Sequence, residues 1–204
     1  ILAATFVNGG KRYVALRHPQ ADGTTGYYDA EGRPLKKAFL RTPVEFSRIS
    51  SRFSSARRHP ILGSTRAHRG VDYAAPKGTP IRTAGNGRVI FRGWKSGYGN
   101  CVIVQHPNDV TTLYAHMSRF APGRGVGTRV SQGEVVGYVG MTGLATAPHL
   151  HYEFRVGGVH RDPLTVTMPK PEPLSGAALA RFRAATAPAM AQLKRVEGVR
   201  LAAR

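Results

Sequence analysis

Acidic side chains are scarce in this chain. Eleven Asp and Glu stand against thirty Lys and Arg in 204 residues, for a net charge of +19. Such a surface attracts polyanions, whether nucleic acid, anionic lipid or an acidic polymer of a cell envelope. Charge alone does not choose among them, but the motifs of nucleic-acid readers are missing: no recognition helix, no zinc-finger spacing and no aromatic stacking motif is present. Cysteine is nearly absent too. Cys101 stands alone, so no internal disulfide can form, and its setting in "CVIVQ" reads as a buried structural thiol. No apolar run approaches the roughly 18 residues of a membrane-spanning helix. The chain opens "ILAATF", with neither Met nor a basic-then-apolar leader, and reads as a mature or trimmed segment with any targeting peptide out of view. A His-Glu-x-x-His helix, with its built-in glutamate base, is also lacking.

What is present falls into three expected pieces. Residues 1–46 hold short strand-like stretches, "RYVALRH" and "GYYDAEG", around "PQADGTT" with the Asp-Gly of a tight turn. This piece is too small for a complete domain and reads as the end of a small upstream β domain or a linker. Residues 47–168 are rich in glycine and in short β-branched runs such as "GRVIFRGW", "CVIVQH" and "EVVGYVG", an all-β signature. Within it, "GTPIRTAGNGRVIFRG" (78–93) and "GTRVSQGEVVGYVG" (127–140) echo each other, which predicts duplicated hairpins in a β-sandwich or barrel-sandwich hybrid. Residues 169–204 begin with a proline linker. Ser175 then caps a helix from about Gly176 toward Leu193, with Pro188 expected to kink or break it. Seven basic and two acidic residues make this basic tail +5.

The chain has eight histidines, and chemistry is to be sought where they cluster. In "PHLHYEF", read as a strand, His149, His151 and Glu153 share one face, while Leu150, Tyr152 and Phe154 share the other and suit a core. The two imidazoles then stand about 7 Å apart, so that one can bind a metal while its neighbour faces the site. In "HRGVD", a spacing of four places His68 and Asp72 on one face of a strand, and Gly70 between them favours an extended or turn segment. An ordinary His–Asp hydrogen bond would satisfy this pair as well. An imidazole and a carboxylate also suit Zn²⁺, and adding His151 gives His, Asp, His. Three protein donors leave a fourth tetrahedral position for water, the pattern of a catalytic rather than a structural zinc, with a net charge near +1. His116 in "LYAHMS" and His149 are the candidate bases.

These stretches, "ISSRFSSARRHPILGSTRAHRGVDYAAPKGTPI", "YGNCVIVQH", "TTLYAHMSRF" and "GLATAPHLHYEFRV", resemble in order the motifs of the lysostaphin-type zinc endopeptidases that cut cell-wall peptidoglycan. The resemblance extends from Ile49 to Leu164, and no motif position departs from the pattern. It implies zinc ligands at His68, Asp72 and His151, and non-ligand active-site histidines at His116 and His149. "YYDAEGRPLKKAFLRTPVEFSRISSRF" further resembles the join between a small β domain and the peptidase in multi-domain Gram-negative envelope enzymes. The implied activity is hydrolysis of peptide cross-links, above all the D-alanyl–diaminopimelyl bond, in the periplasm or envelope. The implied partners are peptidoglycan stem peptides and, through basic patches, an anionic envelope surface. The alternative is a catalytically inactive wall-binding activator of other hydrolases, which would have lost ligands. Weaker features complete the reading. Trp94 and Tyr98 suit loop packing better than a groove wall, His106 has a second-layer or structural role, and Arg57, Arg58, Arg66 and Arg69 ring the first motif.

Overall fold

A computed structural model of the chain describes residues 1–20, 25–45, 48–58 and 65–202. The polypeptide divides into two compact units, Ile1–Lys37 with Lys170–Arg204, and Ala38–Pro169. The breaks thus fall at 37/38 and 169/170 rather than at 46/47 and 168/169. Packing explains the first difference. Phe39 and Val44 are buried in the core of the larger unit, Val44 bridges Ile81, and the Leu40 N–H donates to the Ala84 carbonyl at 2.7 Å.

The smaller unit is an antiparallel sheet of β1 (Ala3–Asn8), β2 (Lys11–Pro19) and β3 (Thr25–Tyr28), with one helix, α1 (Gly176–Ala202). The Asp22–Gly23 turn expected between β2 and β3 lies outside the described residues. Phe182 of α1 is fully buried with Leu16 and Tyr28, so the tail shares a core with the N-terminal strands. Pro188 does not end the helix, which continues to Ala202. A proline costs one backbone hydrogen bond and a steric clash. Here Leu179 and Phe182 before it, and Met190 and Leu193 after it, pack into one cluster and hold both halves.

The larger unit contains β4 (Arg48–Ser51), β5 (Ser54–Arg58), β6 (Thr65–His68), β7 (Val71–Ala74), β8 (Pro80–Arg82), β9 (Gly87–Lys95), β10 (Gly99–His106), β11 (Val110–Ala115), β12 (Met117–Phe120), β13 (Arg129–Val130), β14 (Val135–Val139), β15 (His149–Val156) and β16 (Val159–Arg161). The largest sheet runs β13-β9-β10-β11-β15-β7-β4, with β16 pairing β15; β12-β14-β8 form a second sheet and β5-β6 a ribbon. The all-β reading of this region therefore holds. The internal echo takes an unexpected form. Neither segment closes on itself as a hairpin: β8 pairs with β14 and β9 with β13, so each segment sends its two strands to different sheets and pairs with the other's. The turn inside each segment crosses from sheet to sheet, and the exchange seals the layers together.

Side-chain alternation orients the main sheet. Leu150, Tyr152 and Phe154 of β15 have no exposed surface and join Val71, Tyr73, Val102, Val104 and Tyr114 in the core. Burial of the Leu150 and Phe154 side chains contributes about 1.5–3 kcal/mol each. The opposite face carries a small cluster of Cys101, Leu113 and Ala115. Burial pushes the Cys101 thiol up to about 11, as expected of a structural cysteine. His106 is buried as well: its Nδ1 donates to the Asn86 carbonyl at 2.8 Å, and its Nε2 shares a 2.7 Å hydrogen bond with the Thr112 hydroxyl. Its role is structural.

Burial holds His106 down at about 4 against an ordinary value near 6.5, with the Asn86 carbonyl opposing only in part. Between these pH values the unfolded chain takes up a proton that the folded one refuses. Stability is therefore intact above about 6.5 and falls as pH drops toward about 4, by up to about 1.4 kcal/mol per pH unit from this residue. Denaturant unfolding at pH 7, 6 and 5 should show a shallower acid decline in His106→Asn than in the parent. Identical declines would refute the assignment.

Candidate active site

Strand pairing assembles the site. The antiparallel register of β15 on β7 sets His151 directly opposite Asp72, and that of β11 on β15 sets Ala115 opposite His151. The small Ala115 side chain leaves room beside the ring. His68 ends β6, and Gly70 turns the chain into β7. Gly70 is needed for space: a Cβ there would stand 2.5 Å from the Tyr152 carbonyl and 2.7 Å from His151 Cε1.

The three side chains converge. His68 Nε2 lies 3.0 Å from Asp72 Oδ1 and 3.2 Å from His151 Nδ1, and His151 Nδ1 lies 2.8 Å from Asp72 Oδ1. All three residues are buried. The outer nitrogens are engaged elsewhere. His68 Nδ1 lies 2.8 Å from the Arg52 carbonyl, which can only accept, and His151 Nε2 lies 3.1 Å from Glu153 Oε1. In the neutral rings the protons therefore belong on His68 Nδ1 and His151 Nε2, which turns two bare lone pairs and a carboxylate oxygen toward one point. Such a set calls for a cation. Bonds of about 2.0–2.1 Å at tetrahedral angles would separate the donors by about 3.3 Å, close to the spacings found. The electrostatics agree. Burial pushes Asp72 up, but its hydrogen bonds to His151 and His68 outweigh that and hold it well below the usual carboxylate range. Burial pushes His151 down, yet Asp72 and Glu153 raise it to about 9, so the pocket favours positive charge. Among the described residues, this is the group able to hold a metal ion.

His116 and His149 stand beside the trio, their rings 4.7 Å apart. His116 has a left-handed backbone, φ 60°, uncommon for a residue with a Cβ. Its N–H donates to the Tyr98 carbonyl at 2.9 Å, and its Nδ1 donates to the Thr142 carbonyl at 2.7 Å. Gly99 and Gly143 make this possible, since a Cβ on either would lie 2.4 Å from the other loop's backbone. His149 donates from Nδ1 to the Ala147 carbonyl at 2.8 Å, and its Nε2 is 3.9 Å from Asp72 Oδ1. In both rings Nε2 is left as the available nitrogen. Burial holds His116 down at about 4, so that it is neutral at pH 7.

These five residues line a cleft of about 490 Å³, together with Arg48, Arg69, Tyr98 and Glu153. Sequence reasoning undervalued two of them. The sequence marks Glu153 only as sharing a strand face with His149 and His151, yet it is fully buried. Tyr98 looked like loop packing, yet its hydroxyl donates to Glu153 Oε1 at 2.8 Å. The period-two spacing of His151 and Glu153 was the available signal for the first; nothing local marks the second. Trp94 is 64% exposed and lies outside the cleft lining. Arg69 is on the cleft, whereas the side chains of Arg57, Arg58 and Arg66 lie outside the described part of the chain.

Comparison with known proteins agrees with this architecture. Residues 66–163 match Peptidase family M23. The peptidoglycan DD-endopeptidase ShyC of Vibrio cholerae is 45% identical over 195 residues, covering 96% of this chain and 44% of that protein. The chain thus spans a little under half the length of this curated relative. A zinc-containing peptidase from Vibrio cholerae aligns with TM-score 0.61 and 31% identity over 82% of this chain and 50% of that one. The catalytic domain of the prophage-encoded M23 protein EnpA from Enterococcus faecalis aligns with TM-score 0.53 and 34% identity, over 63% of this chain and 97% of that domain. With nearly all of a solved M23 catalytic domain covered at that identity, the chain belongs to peptidase family M23.

Proposed function

We propose that this chain is a zinc endopeptidase that hydrolyses peptide cross-links of peptidoglycan outside the cytoplasm, with His68, Asp72 and His151 as the zinc ligands. The observation that carries the reading is the convergence of His68 Nε2, Asp72 Oδ1 and His151 Nδ1 within 3.2 Å of one another on the cleft wall. The name of the ShyC relative supports the bond chosen, the D-alanyl–diaminopimelyl bridge. An inactive activator would be favoured by a missing donor, and all three are in place.

When bound, zinc would supply Lewis acidity, polarising the scissile carbonyl and lowering the pKa of a water. The chain's own residues supply orientation and proton handling. His116 and His149, each with Nδ1 tied to a main-chain carbonyl, keep Nε2 available to take a proton from the attacking water or, in the ring that carries a proton there, to donate to the carbonyl oxygen as it gains charge. Between them they divide these two tasks. Because His116 stays neutral at pH 7, its Nε2 can accept, and its low basicity makes it ready to release the proton to the departing amine. Arg48 and Arg69 are exposed on the cleft, where Asp72 and Glu153 are the acidic lining among the described residues, and stem peptides carry free carboxylates for such guanidiniums. The net charge of +19 adds long-range attraction to an anionic wall, weakening as salt rises.

His151→Ala should lose bound zinc and activity together, as read by metal analysis of the purified chain; stoichiometric zinc in that variant would sink the ligand assignment. His116→Ala and His149→Ala should each keep zinc but turn over about 10²-fold more slowly. Near-parental rates in both would remove them from the mechanism. Purified sacculi incubated with the chain should yield monomers from cross-linked muropeptide dimers, with the glycan strands unchanged. Cleaved glycan, or dimers left intact by zinc-loaded protein, would overturn the substrate reading.

A further inference from the structure

We infer that Glu153 is a positioning residue, whose carboxylate holds His151 with Nδ1 turned toward the metal, and that Tyr98, Arg155 and His160 keep this carboxylate fixed and ionised. The inference rests on the zinc site proposed above.

Strand alternation places Glu153 two residues beyond His151 on the same face of β15. Its side chain is almost completely buried. A buried carboxylate is costly unless its oxygens are satisfied. Here every direction is used. Oε1 accepts from His151 Nε2 at 3.1 Å and from the Tyr98 hydroxyl at 2.8 Å. Oε2 accepts from Arg155 Nε at 3.0 Å, from Arg155 Nη2 in a closer contact, and from His160 Nε2 at 3.1 Å. The surroundings do not ask for a charge. Leu113 lies directly opposite Glu153 on β11, and Leu113, Cys101 and Ala115 fill the neighbouring positions as a fully buried apolar cluster. An apolar side chain would extend that cluster without four polar partners.

What the carboxylate does at the site is specific. Ionised, it can only accept, so the His151 proton must sit on Nε2 and the lone pair on Nδ1. That nitrogen is the one 2.8 Å from Asp72 Oδ1 and 3.2 Å from His68 Nε2. Arg155 is permanently charged and keeps Glu153 ionised, while Tyr98, bonded to the same oxygen as His151, fixes the plane of the carboxylate. The group thus links the cleft wall, through Tyr98, to the orientation of a metal ligand.

The test is zinc affinity, measured on the metal-stripped chain by competition with a chromophoric chelator, with thermal melting of the metal-free form as a check on folding. Glu153→Gln should bind zinc about 10- to 100-fold more weakly in a form that still melts cooperatively. Tyr98→Phe should weaken binding in the same direction by a smaller factor, with melting close to that of the parent. Parental affinity in folded Glu153→Gln overturns the inference. If that variant does not fold, unchanged affinity in Tyr98→Phe overturns it instead. Asp72→Ala separates the two levels. Loss of zinc there, with parental affinity in Glu153→Gln, sinks only the positioning role; stoichiometric zinc retained by Asp72→Ala sinks the metal site and this inference with it.

Discussion

The pairing of β15 with β7 is the constraint on which the site depends. It sets His151 across from Asp72 and Tyr152 across from Val71, so the donors share one face while the core side chains share the other. A slip of one residue would turn His151 and Glu153 into the apolar interior and bring Tyr152 and Leu150 out. The register is therefore defended by the burial of Leu150, Tyr152 and Phe154, none of which is exposed. Site geometry and core stability are two readings of the same hydrogen-bonded ladder. Gly70 belongs to this constraint, since only a residue without a side chain lets the His68 turn close against the Tyr152 carbonyl.

Charge is distributed unevenly in a way that suits the site. A chain with eleven acidic residues places two of them, Asp72 and Glu153, on either side of one imidazole. The result is a small region that draws positive charge inside a strongly basic molecule. Around it, the cleft wall offers guanidiniums from Arg48 and Arg69. A cation is attracted to the floor and an anionic ligand to the rim, with no conflict between them because the Coulomb interaction is strongest at short range and weakly screened where water is excluded.

His116 shows how backbone strain is kept on the cleft wall. The left-handed His116 persists because the loops holding Tyr98 and Thr142 approach closely enough to clamp both its N–H and its ring. Gly99 and Gly143 permit that approach. His149 is held by the Ala147 carbonyl, in the same β14–β15 connection that supplies Thr142. One connection thus ties both rings, and each leaves the same nitrogen available.

Much of this was legible in the sequence. Period-two alternation in "HLHYEF" determined which side chains of β15 share a face, because a strand repeats every two residues whatever surrounds it. The grouping of His68 with Asp72 in "HRGVD" was legible too, but the turn at Gly70 between β6 and β7 makes it, not the period of one strand. Glycine and β-branched residues at short intervals determined an all-β body. The tertiary structure decided what depends on contacts distant in sequence. It showed that the echoing segments exchange strands rather than fold back on themselves, that Phe39 and Val44 belong to the larger core, and that packing on both sides of Pro188 carries the helix through it. It also decided the fate of Glu153. A local pattern can say which way a side chain points, but burial is set by what comes to cover it: Arg155 is a neighbour on β15 itself, whereas Tyr98, just before β10, and His160 of β16 reach that carboxylate only once β11 has joined β10 to β15 and β16 has paired with β15.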